Sequence, residues 1–351
     1  MNIPVTTDTG STPQQRRYDH DVTNLVNVSS VTDVREAVIE LYSELWPRAC
    51  LDEVWLAFHD FERLFMGRIP NYLGCDTVYH DIQHSLDVTL AAARLIVGYE
   101  RTVNENDRLG ADRAVLGIII AIFHDAGYIR NTNDQRYKNG AEITRWHVSR
   151  SANWLKHYLP GIGLYNQARL AAEIVHFTGY EKKLDEIELD DPRDSMLGHL
   201  IGTADLIAQM ADRCYLEKCR DRLYLEFVLG GVAIENDGTK QVIKYQSGID
   251  LLLQTPDFYR HVVKKRLVVD FNKAYRYVEA LFNGRNPYLE FIERNIAHLE
   301  HIIETGDWLE LRRLPPCFTV NENPVTKTNA LVNQHIIRLR NQATHSAIAK
   351  A

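Results

Sequence analysis

From Thr32 onward, apolar residues return every three or four positions, which is the period of a helix with one buried face. Val34, Val38, Leu41 and Leu45 predict a first helix, with Thr32-Asp33 as its N-cap. Val54, Phe58, Phe61 and Phe65 predict a second, from about Leu51 to Met66, and Pro70 and Gly74 punctuate the chain beyond it. A third opens at Tyr79 and runs to about Tyr99, with Val88, Ala91 and Leu95 on its inner stripe. A fourth starts near Gly110-Ala111-Asp112, rises through Leu116, Ile119, Ile120 and Phe123, and stops at His124-Asp125-Ala126-Gly127-Tyr128. The polar stretch Ile129 to Gly140 reads as a loop. Helices are expected at about Ala141 to Tyr158, Asn166 to Phe177 and Met196 to Cys214, the last carrying Leu197, Ile201, Ala204, Ala208 and Ala211 on one face. The helical pattern then passes through Leu216, Leu223 and Phe227 to a break at Gly230-Gly231. Pro256 is expected to start a long helix through Tyr277 and Phe282, and Pro287 another through Ile292, Ile296, Leu299 and Ile303. After Pro315-Pro316 the chain is polar, with one short helix around Leu331 to Leu339. No run alternates as a strand does. The expectation is an all-α, multi-helix bundle with four parts. They are a flexible arm at 1–30, a helical domain at 31–230, a C-terminal helical extension at 231–311 that closes a pocket or forms a homodimer face, and a polar tail at 312–351.

Composition narrows the class. Hydrophobic residues make up 45% of the 351, ample for a core. Forty basic residues against 47 acidic ones leave a formal charge of -7, which speaks against a partner that is a nucleic-acid polymer. Five scattered cysteines (Cys50, Cys75, Cys214, Cys219, Cys317) form no CxxC pair, so neither a zinc ribbon nor a disulfide framework is indicated. A reducing cytoplasm fits best. The start of the chain has no apolar signal stretch, and the longest apolar run, Ala114 to Phe123, falls well short of the about 20 residues that span a bilayer. The expectation is a cytoplasmic protein with no membrane partner.

The chemistry begins at Tyr79-His80-Asp81-Ile82-Gln83-His84-Ser85-Leu86-Asp87-Val88. At a spacing of four, His80 and His84 share one face of the predicted helix, and that face continues as Val88, Ala91 and Leu95. Buried imidazoles need partners. Further His and carboxylate residues come later, each placement on its own predicted helix: His124-Asp125, His147, His176 and Asp205. Bundles build metal sites from inward side chains in this way. One histidine on an apolar face is more often a satisfied core residue than a ligand, and a lone His-Asp pair says little. A buried Asp205 beside the small Gly202 and Ala204 is harder to dismiss, and the joint pattern favours a metal centre. Histidine and carboxylate without cysteine suits divalent Zn, Mn, Fe or Mg, with two ions expected.

His84, His124-Asp125 and Asp205, in that order on helices, resemble the HD superfamily of metal-dependent phosphohydrolases over about Tyr72 to Leu216. The Tyr79 to Val88 stretch is similar to the Tyr-His-Asn-x-x-His-x-x-Asp-Val signature of the class I cyclic-nucleotide phosphodiesterases, and Ala204-Asp205-Leu206 to that family's later Ala-Asp-Leu. The resemblance implies that His84 and Asp205 bind metal and that His80 is the general acid. Two positions depart: Asp81 replaces the signature Asn, and Tyr128 stands where the family's His-Asp-x-x-His has its last histidine. For the glutamine that clamps a purine in the eukaryotic enzymes, Gln209, Gln241, Gln246 and Gln254 are candidates by location alone. With His147 and His176 the set also resembles HD members with six ligands on a dinuclear centre, including HD-GYP phosphodiesterases and the di-iron oxygenases related to inositol oxygenase; a Gly-Tyr-Pro motif is absent.

The function expected is hydrolysis of a phosphodiester, in a cyclic or other small nucleotide, by a metal-bridging hydroxide. Asp125 is the candidate bridge; His84, His124 and Asp205 complete the tighter site, and His147 and His176 the second. His80 protonates the leaving oxygen. Asp87 is a candidate partner for a ligating imidazole, and Glu173, three before His176, faces the same way. Arg130, Arg136 and Lys138 could meet a phosphate, although a solvated loop explains them as well. The alternatives are a di-iron HD-type oxygenase and a non-catalytic nucleotide-binding regulator.

Overall fold

The computed structural model describes residues 17–236 and 241–348. The first helices are α1 (Val31–Leu45), α2 (Asp52–Phe65), α3 (Ile82–Thr102) and α4 (Gly110–Phe123). They are followed by α5 (His147–Gly161), α6 (Ala168–Ile174), α7 (Pro192–Ala211), α8 (Tyr215–Lys218) and α9 (Tyr224–Leu229). After α10 (Gly248–Phe258) come α11 (Pro287–Thr305) and α12 (Pro324–Ile348). The expected all-α bundle is what forms. Its one sheet among the described residues is an antiparallel pair, β1 (Ile234–Asn236) and β2 (Gln241–Ile243). Strands of three residues are too short to leave an alternating pattern, so periodicity is silent about them. Among the described residues no helix is long and apolar enough to cross a membrane.

The bundle is built around α3. Every residue from Ile82 to Glu100 is buried, so this helix is covered on all sides, and its polar members such as Arg94 must find partners inside the bundle. Its small residues Ala91, Ala92 and Ala93 let neighbours come close. Gly98 goes further: a Cβ there would lie 1.8 Å from the Tyr277 carbonyl oxygen, so only glycine admits that 3₁₀ segment (Ala274–Leu281) against α3. Across α7, Gly198 meets the Phe177 ring and Gly202 meets Phe271. One apolar core runs from Val22 to Leu311, so the 231–311 segment shares the core of the helices before it.

Residues 1–16 of the expected flexible arm lie outside the described residues. Residues 17–30 are anchored. Asp21 is fully buried and receives Arg94 Nη2 at 2.6 Å, while Arg94 Nη1 donates to the Tyr288 hydroxyl at 2.9 Å. That chain of contacts ties the N-terminal segment, α3 and α11 together. Ser30, not Thr32, caps α1, its hydroxyl accepting from Asp33 N.

Three other expectations are corrected. Pro256 lies inside α10, whose start is set by Ser247 accepting from Asp250 N at 3.1 Å; two π turns then carry the chain to Asp270 instead of one long helix. The predicted helix from Ala141 is a 3₁₀ segment, Gly140–Trp146, before α5 begins at His147. The tail is structured. Residues 315–320 form a strap over residues 75–82, and α12 beyond it is far longer than the stretch from Leu331 to Leu339. Val332 of α12 joins a small second core with Ala141, Leu225, Val228, Leu229 and Ala233. In the strap, Arg222 donates to the Pro315 carbonyl. Ile82 N donates to the Phe318 carbonyl at 3.4 Å, and Val320 N to that of Cys75 at 2.9 Å.

Candidate metal centre

α3 starts at Ile82, so His80 stands before the helix and not one turn back along its face. Asp81 is the N-cap. One of its carboxylate oxygens accepts from His84 N at 3.2 Å and the other from Phe318 N in the strap at 3.0 Å. A carboxylate at this position can meet both donors. An asparagine has one acceptor oxygen and would turn an NH₂ group toward the second donor. His84 is thereby fixed in the first turn of α3, with its ring inside the bundle.

His84, His124 and Asp205 converge, each offering a ligand atom within 4.8 Å of the others. The Nε2 atoms of His84 and His124 are 3.3 Å apart. Asp205 Oδ1, from the middle of α7, lies 3.5 Å from His84 Nε2 and 3.8 Å from His124 Nε2. Asp125, just past the end of α4, brings Oδ2 to 3.4 Å from His84 Nε2 and 3.2 Å from His124 Nε2. Its other oxygen lies 3.6 Å from His147 Nε2, at the first turn of α5. Gly127 lets α5 in this close, since a Cβ there would sit 1.8 Å from the His147 carbonyl oxygen.

The donor set fits a divalent cation. Asp125 Oδ2 is buried and has no hydrogen-bond partner, a costly state for a carboxylate unless a cation faces it. His124 Nδ1 donates to the Ala121 carbonyl at 2.7 Å, and His147 Nδ1 to that of Thr144 at 2.7 Å. Both rings therefore turn an Nε2 lone pair inward, the tautomer that ligating histidines adopt. Burial alone would lower the pKa of His124, but the Asp125 carboxylate beside it overrides this and holds it at about 9. Burial would likewise raise Asp125, yet the surrounding imidazoles, His124 first, keep it far below the carboxylate range. The cluster thus carries concentrated negative charge that protons or a metal must balance. For His147 burial wins over Asp125, and its pKa falls.

Beside this cluster stands a dyad. Glu226, fully buried, accepts from His80 Nδ1 at 2.5 Å. Its Oε1 accepts from Tyr79 N at 2.6 Å and His80 N at 3.4 Å. Burial pulls the His80 pKa down, but Glu226, and then Asp125, raise it overall. Tyr128 stacks between two imidazoles. Its ring centroid is 4.7 Å from that of His80 and 4.4 Å from that of His147, at interplanar angles of 21° and 17°. It is a flat spacer that sets both rings.

The remaining predicted residues divide. Asp87 is buried, and with Tyr79, Gln83, His84, Gln209, Asp212 and Lys218 it lines a narrow slot beside the cluster. Gln209 accepts from the Tyr79 hydroxyl at 3.2 Å, whereas Gln246 and Gln254 are exposed and the Gln241 side chain lies outside the described residues. His176 is buried on a short 3₁₀ turn (Val175–Thr178) past the end of α6. Its Nδ1 has no hydrogen-bond partner, and burial lowers its pKa. Among the described residues no hydrogen bond or ion pair joins it to the cluster. Glu173 turns instead to Lys182 Nζ at 2.8 Å. Arg130 is spent on Asp76 at 2.6 Å and Arg136 on Asp134 at 2.7 Å. Glu226, 146 positions from its partner, escapes a reading of the sequence. Its one signal is an acid set within Leu225, Phe227, Val228 and Leu229.

A family model described as Npun_R2479-like matches residues 134–302. The matched stretch includes His147, Asp205 and Glu226 but excludes His84 and His124-Asp125. No curated protein matches the chain.

Proposed function

We propose that the protein is a metal-dependent phosphohydrolase acting on a small anionic nucleotide, most specifically a phosphodiesterase. The observation that carries this reading is the buried, unpartnered Asp125 Oδ2 facing the inward Nε2 atoms of His84 and His124. His84, His124, Asp205 and Asp125 would hold one divalent ion. Asp125 Oδ1 and His147 Nε2 offer the start of a second position. Ions held there supply Lewis-acid stabilisation of phosphoryl charge and activation of water near neutral pH.

The protein's own work is proton delivery. Glu226 fixes the tautomer of His80 by accepting from Nδ1, so Nε2 is the nitrogen available to a substrate. The His80 ring centroid is 5.5 Å from that of His84, which brings the acid alongside the cluster. A raised His80 pKa keeps this imidazole protonated closer to neutral pH, as donation to a leaving alkoxide requires. The Asp125 carboxylate, shared between His124 and His147, also suits the di-iron oxygenase alternative, but that chemistry has no use for the His80–Glu226 dyad.

The test is hydrolysis of cyclic mononucleotides, a cyclic dinucleotide and a chromogenic bis-ester, with Mn or Mg and with chelator. Turnover that chelator removes and His80→Ala abolishes, with metal content retained, is the expected result. Silence across the panel with every metal, or iron with oxygen uptake, overturns it.

A further inference from the structure

A second hollow, of about 470 Å³, opens against the turn that follows Asp125. Ala126, Gly127 and Ile129 form part of its wall; α5 supplies Arg150, Trp154 and Tyr158, and Tyr72 adds a third ring. None of His84, His124, Asp205 or His80 lines it, and it is separate from the slot beside the cluster. We propose that this hollow is a binding site for a small planar aromatic anion of nucleoside-monophosphate size, distinct from the metal centre.

Its size is that of a ligand site. Pockets that enclose small organic ligands run from about 300 to 1,000 Å³, with aromatic linings and few polar groups. Its rings are set for a flat guest. Trp154 and Tyr158 lie nearly parallel, at 13° with centroids 6.0 Å apart, while Tyr72 meets Trp154 edge-on at 5.1 Å and 88°. A flat ligand can stack on one face while a ring edge closes its side. Its charge is positive. Arg150 donates through Nε to the Gly127 carbonyl at 2.7 Å and through Nη2 to that of Ile129 at 3.1 Å. Its Nη1 makes no hydrogen bond among the described residues, and so remains for an anion. Among the described residues no carboxylate lines the hollow. Of the acids around it, Asp60 accepts from the Tyr158 hydroxyl at 3.1 Å, and Asp134 is chelated by Arg136 while also feeling the Arg150 charge.

The position gives the site a consequence. The two carbonyls that Arg150 clamps belong to residues two and four beyond Asp125. A ligand that draws on this guanidinium acts on the turn carrying a candidate metal ligand, without touching the metal.

The test is isothermal titration of the full chain in EDTA, which silences the metal centre. AMP is the probe, adenosine its uncharged control, and 2-naphthoate a ring acid without ribose. The expected result is saturable binding of AMP, 2-naphthoate or both that EDTA does not remove, with adenosine at least tenfold weaker than whichever anion binds. Trp154→Leu should abolish it. Should that variant fold poorly, Asn153→Asp puts a negative charge at an exposed position of the same wall and should weaken binding at least tenfold with melting unchanged. Binding of 2-naphthoate alone assigns the site to aromatic acids, and binding of AMP to nucleotides. Absence of heat from both anions at millimolar concentration overturns the proposal. Binding that EDTA abolishes, that survives both substitutions, or that is equal for adenosine and AMP does the same.

Discussion

Replacing Asp21 by Asn removes one charge from the back of α3, where its partner Arg94 stands ten residues along the helix from His84. The carboxylate accepts from Arg94 at 2.6 Å, from the Thr23 hydroxyl and amide at 2.7 and 3.0 Å, and from Leu25 N and Val26 N at 3.0 and 2.9 Å. Burial alone would raise its pKa, but the Arg94 charge and these donors bring it down to about 2 from 3.8. At about 1.4 kcal/mol per pKa unit, ionised Asp21 contributes about 2 kcal/mol to folding. Asparagine also removes the charge that pairs with Arg94, leaving that cation the Tyr288 hydroxyl and the Phe282 ring among the described residues, and breaking a buried pair costs up to about 5 kcal/mol. A loss of about 2–5 kcal/mol is therefore expected at pH 7, or about 3–7 °C in Tm for a chain of this length. Because the folded pKa is the lower one, the contribution is complete above about pH 4 and is lost as pH falls from about 4 to 2, so it should be about halved at pH 3. Urea titrations of both proteins at pH 7, 5 and 3 measure this. A gap under about 0.5 kcal/mol at pH 7, the range of an ordinary surface change, would refute the reasoning. So would a gap that stays constant down to pH 3.

Glu226→Gln removes a charge-assisted bond worth about 1.5–3 kcal/mol, so kcat should fall about 10- to 100-fold with metal content unchanged; because losing the carboxylate lowers the His80 pKa, the alkaline limb of the rate profile should move to lower pH. Asp81→Asn leaves Phe318 N without its acceptor, at about 1–3 kcal/mol, and limited proteolysis should cut more readily between Leu314 and Asn321. Gly127→Ala drives a Cβ into the His147 carbonyl, which should cost about 1–3 kcal/mol in a thermal melt and lower the metal-to-protein ratio; an unchanged ratio would detach His147 from the centre.

What the sequence discloses and what it hides separate along one physical line. The all-α class is legible because helical periodicity is a local property, repeated on nearly every segment. His84, His124 and Asp205 are legible as polar residues on inward faces, and buried polar groups demand partners. Long-range pairing is not written locally. Glu226 reaches His80 across 146 positions, and Phe318 reaches Asp81 across 237. The strap also explains why the tail reads as unstructured: Phe318 and Val320 reach residues 75–82 through their own backbone groups, which leave no mark in side-chain pattern. His176 and Glu173 show the opposite failure. Their spacing of three is real, but α6 stops at Ile174, and a face projected past the end of a helix places nothing.

The strap has a consequence for how the protein comes to be made. A ribosome finishes Asp81 well before it begins Phe318, and at about 5–20 residues per second the wait is about 10–50 s. Throughout that interval the nascent chain acquires each candidate metal ligand, from His84 to Asp205, without the segment that completes the cap of Asp81. A product released before Pro315 carries all of these residues while Asp81 lacks the Phe318 amide as its second donor. The cap that opens α3 is thus completed only once the strap has been made, so the two-sided hold on Asp81 marks a chain whose synthesis has passed that point.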